Sequence, residues 1–160
     1  MSFKTTDLCD DYVSELQILQ PGIVKAFGSV HKFSGPITTV DVFEDNVLVK
    51  ETLAKASLGS VIVVDGKGEK SRCALLGDKV AQIAMDAGVA GIIINGYVRD
   101  TAKLAVMNIG IYARGPLPNK SKKEGKGQVG AGVDFGGVSW RDGYYVYVDE
   151  DGIVLAGREL

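Results

Sequence analysis

Ser60-Val61-Ile62-Val63-Val64-Asp65-Gly66 decides the fold. An unbroken β-branched run closed by Asp-Gly predicts a strand buried on both faces, because a strand with one wet face alternates apolar and polar residues. Downstream, Gly66-Lys67-Gly68-Glu69 is a turn and Cys73-Ala74-Leu75-Leu76 a short apolar strand. Gly77-Asp78 then opens a helix with Val80, Ile83, Ala84 and Ala87 on one face, stopped by Gly88. Gly91-Ile92-Ile93-Ile94-Asn95-Gly96 is a second buried strand. Arg99-Asp100 begins a short helical segment running to about Val106, and Ile109-Gly110-Ile111-Tyr112-Ala113 is a third strand. Strands alternating with helices over residues 60–113 imply an α/β fold with a partly parallel sheet and crossover helices.

Upstream, Thr5-Thr6-Asp7 starts a helix whose apolar stripe is Leu8, Tyr12, Val13 and Leu16, ended by Pro21-Gly22. Gly35-Pro36 opens a strand through Phe43, and Asp45-Asn46 caps a helix over 47–56, with Gly59 as its stop. The tail differs in kind. Residues 133–138 and 144–148 are expected to be antiparallel strands, with turns at Asp142-Gly143 and Asp151-Gly152. Asp149-Glu150-Asp151 is turn chemistry with solvated carboxylates. Asp65 either supports a site from behind or simply forms its turn.

The chain has 160 residues, 46% of them hydrophobic, which fits one domain spanning 1–160. Eighteen basic and 20 acidic residues give a net charge of −2, so no basic field draws nucleic acid. No apolar run approaches the roughly 20 residues that span a bilayer. Residues Met1 to Thr5 carry no apolar leader core, and a cytoplasmic protein is expected. Cys9 and Cys73 make neither a disulfide framework nor a zinc site and are expected to be buried reduced thiols. His31 is the lone histidine, which excludes a multi-histidine metal site within one chain. The basic run Asn119-Lys120-Ser121-Lys122-Lys123-Glu124-Gly125-Lys126 lacks interleaved aromatics and is expected to be a solvated loop.

Two places put polar groups beyond the carboxyl ends of strands, where α/β proteins bind ligands: Gly77-Asp78 and Arg99-Asp100. If their strands are neighbours, the two loops face one crevice. A helix start after Gly77 offers unpaired N–H groups to a carboxylate or phosphate, and Gly77 lets a ligand come close. Arg99 supplies a planar fork for a carboxylate or oxo oxygen. Asp100 is a hard oxygen ligand suited to Mg²⁺ or Mn²⁺, which keep several waters. Asp78 can orient a water for proton transfer. On spacing alone, an Arg-Asp pair after a strand is more often a local ion pair or a cap, and Asp78 an N-cap.

Leu75-Leu76-Gly77-Asp78, twenty residues, then Arg99-Asp100 resembles the family of metal-dependent 4-hydroxy-4-methyl-2-oxoglutarate aldolases and the regulator of ribonuclease activity A. Asp7-Leu8-Cys9-Asp10, Phe43-Glu44-Asp45-Asn46, Val63-Val64-Asp65-Gly66, Phe135-Gly136-Gly137-Val138 and Asp151-Gly152-Ile153-Val154 look like that family too, so the resemblance covers nearly the whole chain. It implies a swivelling β/β/α fold, a mixed sheet with antiparallel C-terminal strands, and a homotrimer with sites near subunit contacts. It implies that Gly77, Asp78, Lys79 and Val80 bind substrate largely through backbone amides, that Arg99 and Asp78 serve catalysis with Arg99 also binding substrate, and that Asp100 holds a divalent cation, Mg or Mn. The implied activity is cleavage of a 4-hydroxy 2-oxo acid to pyruvate, with decarboxylation of oxaloacetate. A different class within the family binds and inhibits the RNA-processing endoribonuclease E; those regulators lack the acidic residue after the arginine, which Asp100 supplies here. Methyltransferase labels in the family find no G-x-G-x-x-G after the strands of this chain.

Overall fold

The computed structural model describes residues 2–160. Val61–Asp65 is a strand with every residue buried. Ile62 and Val64 face one core and Val61 and Val63 another, which is why the run carries no polar alternation. In chain order the strands are β1 (Gln17–Ile18), β2 (Lys25–Ala26), β3 (Phe33–Asp41), β4 (Val61–Asp65), β5 (Ala74–Leu76), β6 (Gly91–Val98), β7 (Gly110–Pro116), β8 (Gln128–Val129), β9 (Val133–Phe135), β10 (Val138–Trp140), β11 (Tyr145–Asp149) and β12 (Gly152–Ala156). The helices are α1 (Thr5–Tyr12), α2 (Val47–Lys55), α3 (Asp78–Ala87) and α4 (Thr101–Leu104).

Among the described residues ten strands form one mixed sheet, ordered β1-β12-β11-β3-β4-β6-β7-β2, with β5 on β6 and β8 on β3. Neighbours within β3-β4-β6-β7 are parallel, and the connections between them carry α2, α3 and α4. β11 and β12 are antiparallel to each other, and β11 to β3. This is the mixed sheet with crossover helices and antiparallel C-terminal strands that the sequence implies, in the swivelling β/β/α arrangement.

Helices α2 and α3 cover one face, where Val49, Leu53, Ala81 and Ala84 join Ile92, Ile94 and Leu75. The other face is covered by a separate β9-β10 hairpin, whose Trp140 is fully buried and stacks on Phe135 at 5.0 Å between ring centres. Phe33 lies across Gly91 and Gly110, which are paired in register; a Cβ on either would collide with its ring. Among the described residues no helix is long and apolar enough to cross a membrane.

Several local expectations are corrected. Val13 is 68% exposed, so the α1 stripe is Leu8 with Tyr12 and Leu16. β3 begins at Phe33, ahead of the expected start, and ends at Asp41, leaving Phe43 half-exposed. α4 is a single turn that stops at Leu104. Residues 133–138 are two strands folded at Gly136-Gly137, both at positive φ, the turn geometry that matches strand twist. Asp149 is buried and accepts hydrogen bonds from Thr5 N and Oγ1, pinning the start of α1 to β11. Desolvation opposes its charge, but the Thr5 hydroxyl and backbone N–H groups outweigh that and hold its carboxyl below the ordinary range. Cys73 is buried as expected, while Cys9 is only partly so; both are free thiols.

Candidate active site

Register places the two polar loops side by side. β5 is parallel to β6, with Leu76 opposite Val98, and Arg99 N–H donates to Leu76 O at 2.9 Å. The chain leaves both strands at one point, and Gly77, Asp78, Lys79, Val80, Arg99 and Asp100 all line one cleft of about 570 Å³. Every site residue expected from the sequence is therefore brought together.

Their local chemistry differs from the simplest expectation. Asp100 sits in left-handed backbone, φ 59°, a conformation that aspartate tolerates better than most side chains. It makes no cap to its own short helix. Instead its Oδ2 accepts the Asp78 N–H at 3.1 Å, capping the N-terminus of α3 from the other loop. The anion-binding helix start is thus partly filled by the protein's own carboxylate. Gly77 is extended, so its φ does not require glycine. Space does: a Cβ there would lie 2.5 Å from Asp100 Oδ2.

Arg99 makes no ion pair with Asp100; its Nη1 donates to Pro118 O at 3.5 Å. Asp78 does not cap its helix either, and pairs with Lys103 at 3.3 Å. The Asp100 carboxyl, hydrogen-bonded within the acidic pair, is the leading influence holding Asp78 below the usual carboxylate range; desolvation opposes it and the Lys103 ammonium reinforces it.

A second part of the cleft lining comes from the basic run at 119–126. That run is the solvated loop expected, with only Ser121 buried, but it is also tied down. Ala74 N–H donates to Asn119 O, and Lys122 N–H to Glu44 O at 2.7 Å. Asp45, itself buried, accepts the N–H groups of Val47, Glu124 and Lys126. Desolvation disfavours its charge, yet these backbone donors prevail and keep its carboxyl below the ordinary value of 3.8. Asn46, expected as part of a helix cap, instead donates to Leu75 O and accepts from Lys123 Nζ at 3.0 Å. Asn46, Lys50, Lys120, Ser121 and Lys123 thereby join the cleft.

The donor set can be tested against a divalent cation. Asp78 and Asp100 offer hard carboxylate oxygens on one wall, and among the described residues no three His, Cys, Asp or Glu side chains cluster. Two carboxylates with open solvent beside them suit Mg²⁺ or Mn²⁺ and do not suit a structural zinc site. The run Gly125-Lys126-Gly127-Gln128-Val129-Gly130 has the glycine spacing of a nucleotide-type phosphate loop, but it contains strand β8 and opens no helix, so it is not one.

These features define a mixed α/β protein with a polar ligand cleft at the carboxyl ends of its parallel strands. The chain belongs to the RraA-like (Aldolase/RraA) family, whose model matches residues 5–155. A Bacillus cereus relative named "Putative 4-hydroxy-4-methyl-2-oxoglutarate aldolase" is 52% identical over 158 residues, covering 99% of this chain and 98% of its own. A Geobacillus kaustophilus structure described as an S-adenosylmethionine:2-dimethylmenaquinone methyltransferase is 53% identical with a TM-score of 0.95, covering 99% and 97%. The RNA-processing inhibitor RraA from Thermus thermophilis superposes with a TM-score of 0.95 at 41% identity, covering 100% and 96%.

Proposed function

We propose that the protein is a divalent-cation-dependent lyase that cleaves 4-hydroxy-4-methyl-2-oxoglutarate-type 2-oxo acids to pyruvate and also decarboxylates oxaloacetate. The observation that carries this reading is the Gly77–Asp100 contact. It sets an arginine fork, two carboxylates and a helix N-terminus on one wall of one cleft. Relatives named as aldolases at 52% and 46% identity support it.

The roles follow from the chemistry. Arg99 binds the carboxylate and 2-oxo oxygens in two places and stabilises negative charge as it develops there. The Gly77–Val80 backbone orients the same end of the substrate. Breaking the C3–C4 bond, or losing CO₂ from oxaloacetate, leaves the electron pair on a pyruvate enolate, which then takes a proton at C3. In the cleavage reaction the C4 hydroxyl gives up its proton. Asp78, a carboxylate lining the cleft, orients the water that moves these protons. Asp100, with Asp78 beside it, would hold Mg²⁺ or Mn²⁺, which when bound supplies further positive charge opposite the enolate. The reading includes a cytoplasmic homotrimer with the cleft near subunit contacts.

The test is pyruvate formation from oxaloacetate with and without Mg²⁺ or Mn²⁺. Turnover should be abolished by chelator, and Arg99→Ala and Asp100→Ala should each lower it about 10²–10³-fold. Wild-type activity in both variants would refute the site. The likeness to the Thermus inhibitor supports one other reading, a protein regulator of an RNA-processing endoribonuclease. Absence of turnover together with co-purification of that ribonuclease would favour it.

A further inference from the structure

Most lysines that this chain fixes by their ammonium are fixed by an acid. Lys67 lies between Asp41 and Asp65, Lys103 pairs with Asp78, and Lys126 pairs with Glu124, so each charge is cancelled where it sits. Lys123 is held differently. Its Nζ donates to Asn46 Oδ1 at 3.0 Å, and among the described residues it forms no salt bridge. An amide fixes an ammonium in place but leaves its charge intact for whatever else approaches.

The tether is rigid. Asn46 is buried, and its Nδ2 donates to Leu75 O at 3.3 Å, two residues before Gly77. A carbonyl on one side and an ammonium on the other allow the amide only one orientation. The Asn46 backbone N–H donates to Lys122 O at 3.4 Å, so the same residue also holds the segment that carries Lys123. Asn46 and Lys123 both line the cleft. Arg99 obeys the same rule there: its hydrogen bond goes to a neutral oxygen, Pro118 O. An aspartate at position 46 would cancel the ammonium and set a carboxylate against Leu75 O. An apolar residue would release the ammonium to solvent. Asparagine meets both demands.

We propose that Asn46 is a positioning residue of the lyase site. It holds the Lys123 ammonium beside the end of β5 with its charge uncancelled, and Lys123 acts with Arg99 on the negative charge of the bound 2-oxo acid and of the enolate formed from it. The proposal adds two residues to the site, and it rests on the reading that Arg99 binds the 2-oxo acid.

The experiment measures oxaloacetate decarboxylation and calorimetric pyruvate binding by the full chain in Mg²⁺. Lys123→Met and Asn46→Asp should each lower kcat/KM and pyruvate affinity about tenfold, the loss expected when a hydrogen bond to a charged group goes. Both should also flatten the fall of kcat/KM with added salt. Lys123→Arg should keep most of the activity. The double variant should be no worse than either single one, because both changes remove the same charge. If Asn46→Asp or Asn46→Ala costs as much in the Lys123→Met background as alone, Asn46 acts through Leu75 O and the proposal is overturned. Should the Asn46 variants not fold, Lys123→Met decides by itself, since its side chain is exposed. Wild-type kcat/KM and pyruvate affinity in that variant overturn the proposal. Pyruvate affinity lost in the variants of a chain without turnover keeps the tether and sinks the lyase; turnover untouched by the variants does the reverse. A wild type that neither binds pyruvate nor turns over sinks both.

Discussion

The two walls of the cleft are built by opposite means. Gly77–Val80 and Arg99–Asp100 hang directly from the ends of β5 and β6, two parallel strands paired through a register shift. The Asn119–Lys126 wall has almost no regular structure and is held by groups distant in sequence, chiefly Asp45 and the backbone of Glu44 and Ala74. A strand end is positioned by the sheet whatever its loop contains, so its residues are free to specialise for chemistry. A borrowed loop must devote a buried carboxylate to its own placement.

Gly77→Ala attacks the first wall where it is tightest. The added methyl overlaps Asp100 Oδ2 and must displace the carboxylate, and misplacing a catalytic group by about 1 Å costs on the order of 10² in rate. Oxaloacetate decarboxylation should fall by about that factor while the melting transition moves little, because the overlap is with the end of a solvent-exposed side chain. Unchanged turnover would mean that the Gly77–Asp100 contact does not set the site.

Asp45→Ala attacks the second wall and should act in reverse, on stability first. It orphans three backbone donors around a buried position, a loss of about 2–4 kcal/mol by denaturant unfolding, with faster amide exchange at Glu124 and Lys126. Its pH behaviour is a second check. The folded carboxyl is depressed below 3.8, so its stabilisation is present in full above that value and is lost as pH falls through the folded pKa. Wild-type stability should decline steeply below about pH 4, and the variant, weaker at neutral pH, should decline less.

The smallest effect is expected from Lys103→Ala, which removes the partner of Asp78. The ammonium is 71% exposed, so stability should change by less than about 1 kcal/mol and activity only slightly. A large activity loss would show that Lys103 does more than pair with Asp78.

The same contrast explains what the sequence disclosed. The buried strands β4 and β6, the helix α3 with its Gly88 stop, and the adjacency of the Gly77-Asp78 and Arg99-Asp100 loops were legible because each is a local pattern attached to a strand end, whereas Lys79 and Val80 entered only through the family resemblance. The particular alliance of Asp100 with the α3 N-terminus was not, because a cap supplied from another loop leaves no trace in either loop's own spacing. Ser121 and Lys123 were hidden in a basic run whose composition is that of solvated surface, and only contacts to Asp45, Asn46 and Ala74 pull that run onto the cleft. Asp149 was half read: it closes its turn by accepting the Asp151 N–H, but its place at a hairpin end hides its burial and the bond to Thr5 at the other end of the chain. The 133–138 segment was taken as one strand because Gly136-Gly137 sits between apolar residues that, on either side of the turn, face the same core.

The fit of Asp100 against Gly77 has a consequence for ancestry. The carboxylate occupies the room that a side chain at position 77 would need, so the two positions cannot drift independently. A descendant that acquires any larger residue at 77 has already surrendered or moved the acid at 100. A descendant that loses the acid is released from the demand for glycine. Across relatives, the residue facing Asp100 should therefore record whether a lineage kept this chemistry or gave it up, even where the rest of the fold is unchanged.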